Sequence, residues 1–212
     1  MSFLCIKFTP KVYCKDANQG EVKPYNFSIK LIKKQQTKNK TMKTLVIHPK
    51  DETTDFLSSI YANKDWTVMN SKLTKTALTK QIVAHDRIVM LGHGSEMGFL
   101  QFRQLIIDKT FVPLLKEKSC VCIWCYADEF VYEHGLKGFY TGMFISELIE
   151  ALENDIDSNW DDIRHSNAMF AEALNQSIDT DNMLKNVKEL YQKEGDNCEV
   201  IGFNRARLYS NP

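Results

Sequence analysis

Two residues of this chain, His93 and Cys125, are of the types that together make a nucleophile and its base. A free thiol titrates near ~8.5 and is mostly protonated at neutral pH. A nearby imidazole can draw off or balance that proton and raise the thiolate fraction, which makes cysteine an acyl-transfer nucleophile. Each residue follows an apolar run: Ile88-Val-Met-Leu-Gly precedes His93, and Cys120-Val-Cys-Ile-Trp precedes Cys125. Gly94 lets the backbone come close to a substrate carbonyl. Its N–H and that of Cys125 form a candidate oxyanion hole, where one donor is typically worth ~3–4 kcal/mol of barrier. A helix beginning near Asp128 aims its N-terminal dipole at the thiolate.

The surrounding pattern supplies the elements that must carry these groups. Residues 44–48 form a short β-branched apolar run, a buried strand that Pro49 stops. Residues 51–62 carry Phe56, Leu57, Ile60 and Tyr61 at helical spacing behind an acidic start. Residues 66–69 predict a second strand, 74–84 an amphipathic helix and 87–91 a third strand that delivers Gly92-His93-Gly94. A small hairpin is expected over 98–102 and 105–107, and a short helix over 110–118. A fourth strand covers 120–124, and a helix covers 128–134 with Gly135 as its C-terminal stop. A fifth strand is expected over 138–145 and a helix over 146–155 capped by Ser146. Further helices cover 160–178 and 181–194, and a final strand is expected over 198–208. Strands alternating with helices predict an α/β fold: a mainly parallel sheet flanked by helices on both faces, a three-layer sandwich. Reactive groups then gather beyond the carboxyl ends of the strands, where both His93 and Cys125 fall.

With those residues in place, the segment Ile88-Val-Met-Leu-Gly-His93-Gly94-Ser-Glu-Met-Gly98-Phe-Leu resembles the histidine motif of caspase-like cysteine peptidases. The segment Cys120-Val-Cys-Ile-Trp-Cys125-Tyr-Ala resembles their nucleophile strand, and the order of histidine before cysteine matches. The resemblance covers roughly residues 43–150. It implies a caspase-like (or, more broadly, flavodoxin-like) sandwich, a Cys125–His93 dyad that cleaves peptide bonds, and a peptide or protein substrate, with no cofactor and no metal. Thr141-Gly142 resembles the place where such peptidases hold the substrate backbone in β-pairing. Glu96, Asp128, Glu129 and Glu147 are candidates to line a pocket for a basic substrate side chain, Asp128 first among them. Two departures stand out: Trp124 occupies a position that is small in the group, where its ring is expected to crowd the cleft. Tyr126-Ala127-Asp128 also replaces a usual glycine.

Other readings stay open. A non-catalytic domain of the same architecture would serve binding or regulation, and an unrelated flavodoxin-like domain would hold a small ligand at a sheet switch point. Cys120-x-Cys122-x-x-Cys125 has poor spacing for zinc, because Cys120 and Cys122 share one strand face, and a redox Cys-x-x-Cys usually opens a helix. His48 ends the first strand and suits a hydrogen-bonded, partly core histidine, whereas His85, His134 and His165 read as surface. The apolar stripes of residues 160–194 read as core faces.

The bulk composition is that of a globular protein: 212 residues, 43% hydrophobic and 25% charged, with zero formal net charge. Nothing global points to nucleic acid or an acidic membrane, and no run approaches the ~20 apolar residues of a membrane span. The charge is uneven, with nine lysines against Asp16 and Glu21 in the first 42 residues. Residues 1–41 are expected to be a basic extension, either a hairpin (3–8 with 26–32) or flexible, followed by a lysine-rich linker over 33–43. Met42-Lys-Thr-Leu-Val-Ile reads like a native start, and residues 42–212 are expected to form a single α/β domain. The six cysteines without a visible secretory signal imply reduced thiols and a cytoplasmic location.

Overall fold

The computed structural model describes residues 42–192 and 197–212. The hairpin and extension expected within 1–41, most of the linker, and the end of the helix expected over 181–194 lie outside the described residues. In chain order the strands are β1 (Thr44–Ile47), β2 (Thr67–Met69), β3 (Arg87–Leu91), β4 (Gly94–Ser95), β5 (Gly98–Gln101), β6 (Gln104–Ile107), β7 (Ser119–Ile123), β8 (Lys137–Thr141) and β9 (Leu208–Asn211). The helices are α1 (Lys75–Ala84), α2 (Val112–Leu115), α3 (Ala127–His134), α4 (Leu148–Glu153), α5 (Trp160–Ser177), α6 (Met183–Leu190) and α7 (Glu199–Ala206).

Six strands form one sheet in the order β2-β1-β3-β7-β8-β9. All neighbours run parallel except β9, which lies antiparallel on β8. β1 and β3 are buried along their whole length, which is why they read as continuous apolar runs rather than as alternation. Successive side chains still point to opposite faces. Leu45, Ile47, Ile88, Met90, Cys120 and Cys122 meet residues of α1, α2 and α3 on one face. Val46, Val89, Leu91, Val121 and Ile123 meet α5, α6 and α7 on the other. The short strands β4, β5 and β6 form a separate antiparallel meander directly after His93.

The end of the sheet remote from His93 is locked by Arg87. Its guanidinium is buried and donates to Thr44 Oγ1 at 3.0 Å, the Ile178 carbonyl at 2.9 Å and Asp179 at 2.7 Å, with the Trp66 ring 4.7 Å away. Breaking such a desolvated, fully paired cation leaves its charge uncompensated, so this end is rigid.

Several elements differ from the sequence-based expectation. Residues 198–208 are not a strand: Val200, Ile201 and Asn204 are buried at helical spacing and form α7, and the strand comes later as β9. The β-branched pair Val200-Ile201 mimicked a strand over a window too short to separate the two periods. Residues 52–60 wind as a 3₁₀ helix capped by the Asp51 side chain. β8 ends at Thr141, and residues 142–147 run as a loop. The cap of α4 is Glu147 rather than Ser146. His85 is buried at the end of α1 with Nδ1 2.7 Å from the Gln81 carbonyl, and His134 is half-buried against the Phe130 ring. Only His165 of that trio is exposed.

Candidate active site

β3 and β7 are hydrogen-bonded neighbours in register from Arg87↔Ser119 to Leu91↔Ile123. Gly92 carries the pairing one step further, its N–H donating to the Ile123 carbonyl at 3.0 Å. It sits at φ 146°, a conformation that favours glycine and turns the chain out of the sheet. The His93 carbonyl then accepts from Leu100 N–H at 2.9 Å, so the residue is held between the main sheet and the meander.

The imidazole belongs to a short polar chain. His93 Nε2 lies 2.7 Å from Thr53 Oγ1, and that hydroxyl donates to Asp51 Oδ1 at 2.7 Å. The Thr53 N–H also donates to Asp51 Oδ1, at 3.0 Å. A hydroxyl has one proton, and an ionised carboxylate only accepts. With the Thr53 proton committed to Asp51, Nε2 must be the donor, which leaves the lone pair on Nδ1. Partial burial pushes the Asp51 carboxyl up, but the two Thr53 hydrogen bonds and His93 outweigh it and hold the carboxyl below its ordinary value.

Cys125 stands at the turn between β7 and α3. The Thr141 hydroxyl fixes the preceding residue, donating to the Trp124 carbonyl at 2.8 Å and accepting from Trp124 N–H at 3.2 Å. The turn is closed by Tyr126 at φ 65°, ψ 27°, and Ala127 N–H reaches back to the Trp124 carbonyl at 3.3 Å. A tyrosine in this left-handed conformation is strained. The thiol donates to the Phe144 carbonyl at 3.5 Å and to Glu150 Oε1 at 3.8 Å. Burial, then the Glu150 carboxylate and, more weakly, Glu147 push this thiol up to about 12. Glu150 is fixed in turn: its Oε2 accepts from Ser146 N–H at 2.7 Å, Ser146 Oγ at 3.1 Å and Glu147 N–H at 3.0 Å.

His93 and Cys125 wall one small cavity of about 20 Å³ together with Thr54, Phe144 and Ser146, room for about one water. His93 also faces a groove of about 460 Å³ bounded by Lys50, Asp51, Phe102, Arg103 and Glu147. The groove continues past the 51–53 turn toward His48 and Tyr61. This crevice lies over the ends of β1 and β3, where the strand order reverses, the place where open α/β sheets hold ligands. The adjacency of β3 and β7 puts His93 and Cys125 at neighbouring strand tips, and the same strand order is the flavodoxin-like one, which holds a small ligand at this switch point.

The other expected residues divide. Gly94 lies against the Trp124 ring: a Cβ there would come within 2.0 Å of it. Trp124 borders the small cavity with His93 and Cys125. Its ring is buried between Phe99 and Phe130, and Nε1 donates to the Ser95 carbonyl at 3.2 Å. Thr141 and Gly142 are brought close to the site but pair within the chain. Gly142 N–H donates to the Arg207 carbonyl at 2.8 Å, and β9 fills the strand slot beside β8 where a substrate backbone was expected. Asp128 lies beside Gly142, and its buried Oδ1 has no hydrogen-bond partner. Glu96 and Glu129 are exposed, while Glu147 borders the groove. His48 is buried, with Nδ1 2.9 Å from the Tyr61 hydroxyl, and burial holds its pKa down. Cys120 and Cys122 are both buried, and burial, reinforced by Cys120, pushes the Cys122 thiol well up. Among the described residues no group of three or more His, Cys, Asp or Glu could hold a metal ion, and no helix is long and apolar enough to cross a membrane.

Thr53, Asp51 and Glu150 escaped the sequence reading. Asp51-x-Thr53 carried the signal of a side-chain-capped turn, and Glu147-x-x-Glu150 that of a capping box, but neither spacing says which strand tip the cap will face. No family model matches the chain, and no curated protein or solved structure matches it.

Proposed function

We propose that this chain is a cysteine peptidase on a caspase-like α/β sandwich, with Cys125 as nucleophile and His93 as base. Support comes from one observation above the rest: the two side chains, carried by the tips of neighbouring strands, wall the same cavity. Cys125 Sγ attacks the peptide carbonyl, its proton passes to His93 Nδ1, and the carbonyl electron pair moves onto oxygen. The N–H groups of Gly94 and Cys125 hold that oxyanion. The imidazolium returns the proton to the departing amine as the C–N bond breaks, and a water activated by His93 then hydrolyses the thioester. Thr53 and Asp51 steady the imidazolium through Nε2–H. The peptide lies in the groove bounded by Phe102 and Arg103, where Glu147, rather than the buried Asp128, is placed to meet a basic side chain of the substrate. A reducing compartment such as the cytosol suits the thiol.

The expected outcome is that Cys125→Ala and His93→Ala each lower hydrolysis of a peptide library by at least about a thousandfold with the urea midpoint retained. Equal turnover by wild type and Cys125→Ala would sink the proposal. One observation favours a second reading, a non-catalytic binding or regulatory module: the thiol lies against the Phe144 carbonyl and the Glu150 carboxylate, two groups that oppose its ionisation. Under that reading no variant hydrolyses any peptide, and a peptide bound in the groove survives intact.

A further inference from the structure

The loop over residues 142–147 is held by groups that no catalytic step uses. The Asn204 side chain, fully buried on α7, clamps Ile145 from both sides: Oδ1 accepts from Ile145 N–H at 2.7 Å and Nδ2 donates to the Ile145 carbonyl at 2.8 Å. Asn204 is itself locked, with Nδ2 3.2 Å from the Tyr191 hydroxyl, which lies 2.7 Å from Ser166 Oγ. Asn167 on α5 donates to the Ser146 carbonyl at 3.0 Å. The residues on either side of Ile145 are the ones that reach the site: the Phe144 carbonyl accepts from the Cys125 thiol, and Ser146 binds Glu150, which also touches the sulfur.

We propose that Asn204 is a positioning residue for Cys125 and that the loop it clamps is a latch, holding the thiol on the Phe144 carbonyl and the Glu150 carboxylate until a ligand in the groove displaces it toward His93. This rests on the dyad proposed above but concerns the resting state of the sulfur, which can be read without any substrate. It also reconciles a base whose lone pair is free with a nucleophile that is not. The titratable groups around the sulfur are His93 across the cavity and Glu147 and Glu150 from the start of α4. α3, which begins two residues later, carries Asp128 and Glu129 in its first turn. The groups reaching the loop from α5 and α7, Asn167 and Asn204, are neutral.

The test is the rate of iodoacetamide alkylation of each cysteine in the full chain against pH, assigned by fragment-ion mass spectrometry because Cys120, Cys122 and Cys125 share the stretch between Lys118 and Lys137. Cys122, fully buried three residues earlier on β7, reports unfolding in the same sample. Glu150→Gln keeps an acceptor for Ser146 and Glu147 while turning a neutral donor toward the sulfur. It is expected to move the Cys125 profile down by at least about one pH unit and to raise its rate at pH 8 about tenfold. Asn204→Ala is expected to shift Cys125 in the same direction, and Asn204→Asp, which keeps the acceptor for Ile145 N–H, to shift it less. Cys122 stays protected throughout. An unmoved Cys125 profile in Glu150→Gln overturns the latch. Cys122 and Cys125 rising together in Asn204→Ala reduces Asn204 to a stability residue and overturns its assignment. If the profiles shift as expected while no variant hydrolyses peptides, the latch stands and the peptidase proposal falls.

Discussion

The two walls of the cleft are built to opposite specifications. On the β3 side, His93 has 37% of its side chain exposed and sits in a chain of polar groups that ends in a solvent-facing carboxylate. On the β7 side, Cys125 is enclosed by a carbonyl and a carboxylate, either of which can take its single proton in a hydrogen bond. The first wall is ready to accept a proton, and the second is arranged not to release one. The backbone does not share this contrast: Tyr126 closes the Cys125 turn in a left-handed conformation, and Phe102 and Arg103, which bound the groove in front of His93, are left-handed as well. The masked thiol falls on one wall, so a ligand has to act there.

The largest effect that tests this contrast belongs to Gly94. Its absent Cβ makes room for a buried indole that would otherwise lie 2.0 Å away. Gly94→Ala is expected to lower stability by about 3 kcal/mol, the cost of overpacking a core that cannot relax, and Gly94→Ala/Trp124→Phe to regain part of it. Urea midpoints measure both. A stable Gly94→Ala that has lost hydrolysis would instead assign the glycine to substrate approach and make the His93 wall the more specialised one.

Alkaline stability comes next. The Cys125 thiol is raised from 9.0 to about 12 in the folded chain. Folding therefore favours the protonated thiol. That contribution is complete below pH 9 and is lost as the pH climbs toward 12. Wild type should lose on the order of 2 kcal/mol more than Cys125→Ala across that window. Cys122, also raised, contributes equally to both proteins and cancels in the difference. Parallel curves would mean that the Cys125 wall is open to solvent and that the contrast is false.

Much of this was legible in the chain. β3 and β7 announce themselves because strands buried on both faces cannot alternate, so Arg87–Leu91 and Ser119–Ile123 stand out as apolar runs ending in His93 and Cys125. What stayed hidden was most of what decides the state of those two residues; Glu147 and Thr141 were in view, though for other roles. Thr53 reaches His93 across 40 positions, and Asn204 reaches Ile145 across 59. A cap or a buried amide is a local signal whose target is set only when the helices pack. α7 shows the limit from the other side: Asn204 lay inside a segment expected to be a strand, where its alternate face would have pointed away from the loop it clamps.

A smaller effect comes from the turn itself. Tyr126→Gly should raise stability by about 1 kcal/mol, since a left-handed conformation costs a non-glycine residue ~1–2 kcal/mol and glycine gives part of that back in chain entropy. If the turn's strain helps hold the sulfur in place, the same variant alkylates faster at Cys125. A gain in stability with an unchanged alkylation rate would separate the strain from the masking.

The smallest effect is at Asp51, and it probes the His93 wall alone. Its carboxyl is held below 3.8 in the folded chain, so its contribution is present above the ordinary carboxylate range and is lost as the pH falls through the folded value. The side chain is 35% exposed, and solvent screening leaves only a few tenths of a kcal/mol. Between pH 5 and pH 2 the urea midpoint of wild type should therefore fall slightly more than that of Asp51→Asn. Asp108, held at about 2 by Lys75 and Thr110, and Asp179 titrate in both proteins and drop out of the comparison. The more telling readout is hydrolysis. Asp51→Asn keeps an oxygen that accepts from Thr53 but removes the negative charge that steadies the imidazolium. Activity should then fall far more than stability does, and Thr53→Val, which breaks the link to Nε2, should reproduce the loss. An Asp51→Asn variant with full activity would show that the imidazolium needs no carboxylate there, and the contrast between a prepared base and a masked nucleophile would lose its first half.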